Sequence, residues 1–278
     1  MTTSRPSSTT WSPELAPRRG FFDGIAVTIR VAGLSLLRGR RGVVLALLCA
    51  LPLIWPALEL FHSGLGTKGG VGFVQLLTEL WFPRINLIVA LFVGCGALGE
   101  EIDGKTVPYL LTRPVPRSAL LIGRWLVAAV TASVLLGAGY LALYVATVAP
   151  MGGDALLVDL PILGYALLGM ALSMLAYCAV FMLFAVTIKW PLLVGLVLLF
   201  VWEEFAATMP GNLARYTLLH HVYTLLAHGS GDEAYHLLAR PEEIELLPAA
   251  ESLQVLAGVT AGSLALALAK FRRKSYLV

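Results

Sequence analysis

The sequence predicts an all-α membrane protein with six transmembrane helices. Of its 278 residues, 58% are apolar and only 13% are charged, and the mean hydropathy is +0.81. A soluble domain carries about 25% charged residues. Several apolar runs approach or exceed the roughly 20 residues that an α-helix needs to cross the bilayer core. Trp residues lie mostly near the ends of these runs, as in the aromatic belts of membrane proteins. This composition excludes an ordinary soluble fold.

The first 41 residues are expected to lie outside the spans. Residues 1–20 are rich in Ser, Thr and Pro and lack an apolar run, which predicts a disordered cytoplasmic tail rather than a signal peptide. In residues 21–41, apolar side chains recur every three or four positions and Arg residues fall mostly elsewhere. Such a basic amphipathic helix beside a span lies in the membrane interface. The alternative is a frayed start of the first span.

Six apolar segments are the predicted spans, at residues 43–60, 85–99, 125–149, 161–188, 190–208 and 252–269. Pro52 and Pro56 are expected to kink the first span, which neighbouring helices can tolerate. The second span is short, and we expect Trp81 and Phe82 to extend it. Leu213–His228, between the last two spans, mixes apolar and polar residues and predicts interfacial helices.

The distribution of charge predicts the orientation in the membrane. Of the 20 Lys and Arg residues, 16 fall on the side of the two termini and four on the other side. Positively charged residues stay in the cytoplasm. We therefore expect both termini in the cytoplasm and residues 62–84 and 205–250 outside.

The stretch GEEIDGKT, Gly99–Thr106, fits the phosphate-binding motif G-x-x-x-x-G-K-[ST]. Its context argues against a nucleotide site, because a predicted membrane helix precedes it where a P-loop follows a buried strand. Three carboxylates within the motif would repel a triphosphate. The acidic residues that could help hold Mg²⁺, Asp159 and Glu203, are predicted on the opposite side of the membrane. We therefore expect no ATPase site and no cofactor in this chain.

The longer segment Gly99–Arg124, GEEIDGKTVPYLLTRPVPRSALLIGR, resembles the signature of the ABC-2-type permease family, the membrane subunits of a class of ABC exporters. The shared order is acidic residues closing the second span, Gly-x-Thr, a short apolar stretch, Pro with a following Arg, and a Leu/Ile-rich start of the third span. Pro108 departs from this pattern. The matching positions are Glu100, Glu101, Gly104, Thr106, Tyr109, Leu110, Leu111, Pro114, Arg117 and Arg124.

The resemblance implies a six-span permease domain over residues 21–278, with a coupling region at 100–124. Thr106 is a plausible N-cap for a short helix that stops before Pro114. Its apolar residues, with Arg113 and Arg117 at the rim, would dock in a groove of a separate nucleotide-binding ATPase subunit. Without the resemblance, an ordinary basic loop that holds the topology would be favoured.

The resemblance further implies a second permease protomer, in a homodimer or a heterodimer, and interfacial or re-entrant helices in the extracytoplasmic segment 205–250. ATP and Mg²⁺ would be bound by the partner ATPase. The chain would lie in the cell (inner) membrane, with no nucleic acid among its partners. The alternative function is a membrane anchor or assembly factor that transports nothing.

Two further pairs of residues are candidate functional positions. Glu203 and Glu204 close the fifth span, and an ionisable group at that depth is a candidate for the translocation path; the alternative is a short span that ends there. Gly258 and Gly262 form a GxxxG pattern, which permits close helix packing within the bundle or in a dimer. The five His residues match no metal-ligand spacing, so no metal site is expected. The three Cys residues lie in apolar runs and are expected to be small buried residues.

Overall fold

The computed structural model of the chain describes residues 69–103, 116–206, 212–229 and 247–273, together with isolated helical positions at 25, 26, 47, 50 and 54. Every regular element in this part of the chain is helical, and no strand occurs in it. The predicted tail lies outside the described residues. The predicted interfacial helix at 21–41 and first span at 43–60 lie almost entirely outside them.

Eight α-helices make up most of the described part. They are α1 (Gly69–Leu76), α2 (Leu87–Asp103), α3 (Arg117–Val148), α4 (Gly153–Val158), α5 (Leu160–Thr187), α6 (Pro191–Val197), α7 (Leu218–Gly229) and α8 (Ala249–Arg273). Two π-helical segments, Leu77–Asn86 and Leu198–Phe205, continue α1 into α2 and extend α6. Two short 3₁₀ turns complete the set, at Ala149–Met151 and Asn212–Tyr216.

Four helical stretches in the described residues are long and apolar enough to cross a membrane. They are Gly70–Ala97, Ser118–Met151, Leu160–Thr187 and Ala249–Arg273. They confirm that the described part of the chain is helical and that long apolar helices occur at the second, third, fourth and sixth predicted positions. The fifth, predicted at 190–208, contains the shorter apolar helix Pro191–Glu203. A total of six spans remains a prediction.

The second span was predicted at 85–99 with an extension through Trp81 and Phe82, and the helix extends further than that, back to Gly69. The sequence there contains Glu79, Pro83 and Arg84, which interrupt the apolar run. The π-helical segment accommodates Pro83 inside the helix. The Arg84 side chain donates to the backbone carbonyl of Glu79 on the exposed side, so both polar residues stay out of the core.

The other face of the same segment is buried and includes Trp81 and Phe82, which lie within the helix as expected. Both rings meet Tyr140 of α3 edge to face, at centroid distances of 5.2 and 5.7 Å. The Tyr140 hydroxyl donates to Asn86 Oδ1 over 3.1 Å. These contacts join the helix that contains the second span to α3 around Tyr140.

Helix α5 is the centre of the bundle, with α2, α3, α7 and α8 packed around it. Met174, Tyr177, Cys178 and Phe181 on α5 are completely buried. Its approach to α2 is close enough to require glycine. A Cβ on Gly94 would lie 2.9 Å from Phe181 Cβ and 3.2 Å from Cys178 Cα. The α2–α5 contact therefore leaves no room for a side chain at residue 94.

Polar contacts connect neighbouring helices of the bundle. Asp159, just before α5, accepts a 2.9 Å hydrogen bond from the backbone N–H of Gly70. At the opposite end of the bundle, Arg124 Nη1 donates over 2.9 Å to the carbonyl of Ala97. Between them, Trp125 Nε1 donates to the Leu175 carbonyl over 3.1 Å.

The cysteines within the described residues behave as predicted. Cys95 and Cys178 are buried and free. The Cys95 thiol lies 3.7 Å from the Phe181 carbonyl, to which it donates a weak hydrogen bond. Cys49 lies outside the described residues. The two visible thiols are thus packing residues of the α2–α5 contact.

We expect Gly94→Ala to destabilise the protein, because the new methyl group would press on the backbone of α5. Overpacking of this kind costs about 1–3 kcal/mol. The measurement is thermal unfolding in detergent micelles. Gly164→Ala, on α5 itself, is the matched control: its Cβ would meet nothing within 4 Å, so the higher helix propensity of Ala should make it neutral or slightly stabilising. Equal unfolding temperatures for the two variants would contradict the close α2–α5 contact.

Candidate functional site

The alternating directions of the helices gather cationic residues at one end of the bundle. At this end α2, α5 and α8 finish and α3 and α6 begin. We call it the basic end; its described cationic residues are Arg117, Arg124, Lys189, Lys270, Arg272 and Arg273. Asp159, Glu203 and Arg215 lie at the opposite end. The charge separation expected from the sequence is therefore present along the described helices.

The predicted coupling region begins and ends in helix at the basic end. Glu100 and Glu101 belong to the last turns of α2, and Arg117 is the first residue of α3. The third span therefore starts before its predicted position at 125, and the second flank of the coupling region is helical. The remaining predicted coupling residues lie outside the described residues: Gly104, Thr106, Tyr109, Leu110, Leu111, Arg113 and Pro114.

The flanks of this segment lie side by side because Arg124 binds the carbonyl of Ala97. The described helices on either side of residues 104–115 thus end and begin at neighbouring points of the basic end. An exposed element in this connection would present its residues on the surface of the basic end. The predicted short helix at 107–112 stays a prediction.

The structure also bears on the GEEIDGKT motif. A phosphate-binding loop follows a strand and curls its backbone N–H groups around the phosphates before a helix begins. Here Gly99–Asp103 continues the apolar helix α2, and no strand occurs among the described residues. A helical backbone at these positions directs its N–H groups along the helix axis, so they cannot form the cradle.

Glu203 lies at the opposite end, in the π-helical segment that extends α6. Its side chain is only 2% exposed. The carboxylate accepts hydrogen bonds from the backbone N–H groups of Leu218, over 3.3 Å, and Leu219, over 3.1 Å. Glu204 follows it in the same segment. The assignment of both residues to the translocation path remains a prediction, but the Glu203 carboxylate is already engaged with the first turn of α7.

Two buried histidines follow on α7. His220 and His221 are 4% and 2% exposed, and their rings meet edge to face at 5.6 Å. His221 Nδ1 lies 3.3 Å from the hydroxyl of Ser252, which is completely buried at the start of α8. This contact between two buried side chains joins α7 to α8.

The His residues do not form a metal site in the described part of the chain. His228 Nδ1 bonds to the Thr224 carbonyl over 2.8 Å within α7. No group of three or more His, Cys, Asp or Glu side chains among the described residues could hold a metal ion. His62 and His236 lie outside these residues.

Burial keeps the paired histidines neutral. The pKa of His220 is lowered from 6.5 to about 4, first by burial and then by the nearby His221 and Arg215. Burial also lowers the pKa of His221, although a hydrogen bond to the backbone of Arg215 opposes this shift. Near neutral pH the contact between His221 and Ser252 is thus made by a neutral imidazole.

The GxxxG pattern of α8 faces away from the described bundle. A Cβ at Gly258 or Gly262 would meet nothing within 4 Å among the described residues. The buried face of α8 consists instead of Ser252, Leu256, Ser263, Ala267 and Phe271. The glycines therefore do not serve packing against the described helices, and a role in contacts beyond them, including a dimer, remains a prediction.

Sequence reasoning missed the contacts of α7 because their partners are distant in the chain. Glu203 and Leu219 are separated by a turn that the sequence does not specify, and His221 meets Ser252 across the segment 230–246. The sequence signal for this site was the pair Glu203 and Glu204 at the end of an apolar run. That signal identified Glu203 but not its partner.

The comparisons with known proteins agree with the architecture. Residues 73–276 match the family described as ABC-2 family transporter protein. A search among curated proteins found no match. The matched range includes all four long apolar helices almost in full, the coupling region and α7.

We expect acid to weaken the packing of α7. The folded-state pKa of His220 lies below its unfolded value, so the unfolded state binds more protons between about pH 6.5 and 4. The stabilisation is complete above pH 6.5 and is lost as the pH falls toward 4. Thermal unfolding in detergent should show an unfolding temperature that decreases as the pH falls from 6.5 to 4. In His220→Gln this decrease with pH should be smaller. His228→Gln, at the exposed end of the same helix, should leave the slope unchanged; an equal effect of both variants would contradict the assignment.

Proposed function

Because the family match covers more than half of its length, the chain belongs to the ABC-2 family of transporter membrane proteins, and from this premise we propose that it is the permease subunit of an ATP-driven exporter. In this proposal two permease protomers, identical or different, form the path, and two copies of a separate ATPase subunit drive it. The observation that carries the proposal is the family-like segment Gly99–Arg124 at the junction of two apolar spans.

The arrangement of the basic end supports a coupling role for this segment. Helices α2 and α3 are the second and third spans, and the Arg124–Ala97 contact holds them together where the segment leaves them. A partner that pushes on Leu110 or its neighbours would act on two spans at once. Both spans pack on α5, so the displacement would reach the centre of the bundle.

ATP and Mg²⁺ belong to the partner in this proposal. The helical backbone of Gly99–Asp103 supports it, because the first half of the motif is not a loop. Membership of the family also implies a membrane subunit without its own ATPase domain. The chain contributes mechanical coupling and a path, and no catalytic residue.

The orientation follows from the charges. We propose that the basic end faces the cytoplasm of a cell (inner) membrane, because Lys and Arg are retained on that side. Both termini would then be cytoplasmic, and α7 would lie at the outer end. Six spans require that residues 43–60 and the shorter helix Pro191–Glu203 also cross the membrane.

The docking role is tested by Leu110→Asp. If Leu110 packs into a groove of the ATPase subunit, the variant buries an unpaired charge, which costs several kcal/mol. Since about 1.4 kcal/mol changes affinity tenfold, the variant should lose its ATPase in a pull-down and should no longer support coupled ATP hydrolysis. It should still insert in the membrane, because the change lies outside the spans.

The control for this experiment is Ser118→Ala, a small change in the first turn of α3 beside the same segment. It should retain full binding. If Leu110→Asp also binds the ATPase normally, the segment is not the docking element. If the wild-type chain binds no ATPase subunit at all, the anchor function is favoured instead.

Nucleotide binding gives a separate prediction. The purified chain alone should not bind or hydrolyse ATP, and Lys105→Ala should leave the nucleotide affinity of the assembled complex unchanged. Equilibrium binding of a fluorescent ATP analogue measures both. ATP binding by the isolated chain that disappears in Lys105→Ala would restore the P-loop interpretation.

A further inference from the structure

We propose that Glu203 is a positioning residue whose carboxylate anchors the first turn of α7 and makes α7 follow the movements of α6 at the end of the bundle opposite the coupling region. The anchor is a feature of the fold by itself. Its part in transport rests on the proposed function.

The first turn of α7 supplies the geometry. The N–H groups at the start of a helix have no partner within the helix. Leu218 and Leu219 donate theirs to the two oxygens of Glu203, Oε1 and Oε2, and His220 donates to the Thr217 hydroxyl over 3.3 Å. A carboxylate is favoured here because the N-terminus of a helix carries partial positive charge. The buried carboxylate of Glu203 therefore supplies the hydrogen-bond acceptors that a preceding helical turn would provide.

The Glu203 contact links the extension of α6 to α7 directly, in addition to their covalent connection through the backbone. Glu203 lies near the end of the extension of α6, whereas α7 begins after Asn212–Tyr216. Tyr177 of the central helix lies beside the same carboxylate. The carboxylate thus sits at the meeting point of α5, α6 and α7, and a shift of the outer end of α6 pulls directly on the backbone of α7.

Two other contacts determine which helices a displacement of α7 would affect. The Tyr223 hydroxyl of α7 donates to the Thr78 carbonyl over 2.9 Å, and His221 pairs with Ser252 of α8. Helix α7 consequently joins the helical stretch Gly70–Ala97, the extension of α6 and the start of α8. Among these links, the one through Glu203 is made by a carboxylate to two backbone groups, so replacing its charge changes the link without changing the shape of the side chain.

The anchor is tested by hydrogen–deuterium exchange of the full chain in lipid nanodiscs. In Glu203→Ala the amides of Leu218 and Leu219 lose their acceptors and should exchange at least about tenfold faster, the factor that corresponds to about 1.4 kcal/mol. Glu203→Gln keeps the shape and one acceptor oxygen, so a smaller increase is expected. Glu251→Gln removes an exposed carboxylate in the first turn of α8 and should change nothing in α7. Unchanged exchange in both Glu203 variants overturns the anchor.

The positioning role is tested in the complex with the ATPase subunit. Trapping with Mg-ATP and vanadate should alter exchange both at the start of α3 and in α7 of the wild type. In Glu203→Gln the response at α3 should persist and the response in α7 should be lost or strongly reduced. An α7 response equal to that of the wild type overturns the positioning role. A chain that binds no ATPase disproves the proposed function instead, while the nanodisc measurement still decides whether the anchor exists.

Discussion

The close approach of α2 to α5 sets the position of most of the bundle. Lipid offers no hydrogen bonds to the backbone and no hydrophobic drive for apolar helices to associate, so close packing must supply the contact energy. Gly94 on α2 allows this, and Gly195 on α6 repeats the device against Leu91 and Phe181. Helices α3, α7 and α8 then occupy the remaining sides of α5. Helix α2, which leads into the coupling region, and α6, whose extension contains Glu203, thereby both pack against α5.

The sequence was sufficient for the helices that are uniformly apolar. The fourth span, predicted at 161–188, is observed at Leu160–Thr187, because Pro161 and Lys189 bound an uninterrupted apolar run. The start of the second span was misplaced because hydropathy counts Glu79 and Arg84 as polar wherever they point. Only the π-helical geometry shows that one face of that segment stays apolar. Hydropathy averaged over a window of the sequence cannot show which face of a helix a polar residue occupies.

For the candidate sites too, the sequence predicted some features and the rest required the structure. Acidic residues at the end of a span drew attention to Glu203, since such residues are costly in a membrane and seldom without a role. What the carboxylate does depends on where α7 begins, and that is decided by packing between elements far apart in the chain. The Ser252–His221 pair depends on such packing too. Motifs thus locate candidate residues, whereas their partners come from the fold.

The central place of α5 also has a consequence for biogenesis. A membrane protein is inserted from its N-terminus as the ribosome makes it, so α2 and α3 reach the bilayer before α5 exists. They can form a hairpin through Tyr140 and Asn86, but Trp125 must wait for the carbonyl of Leu175. Until then the surface of α2 around Gly94 lacks the α5 helix against which it packs. A chain whose synthesis stops before α5 therefore lacks the helix on which α2 and α3 both pack and on which α7 and α8 are later assembled.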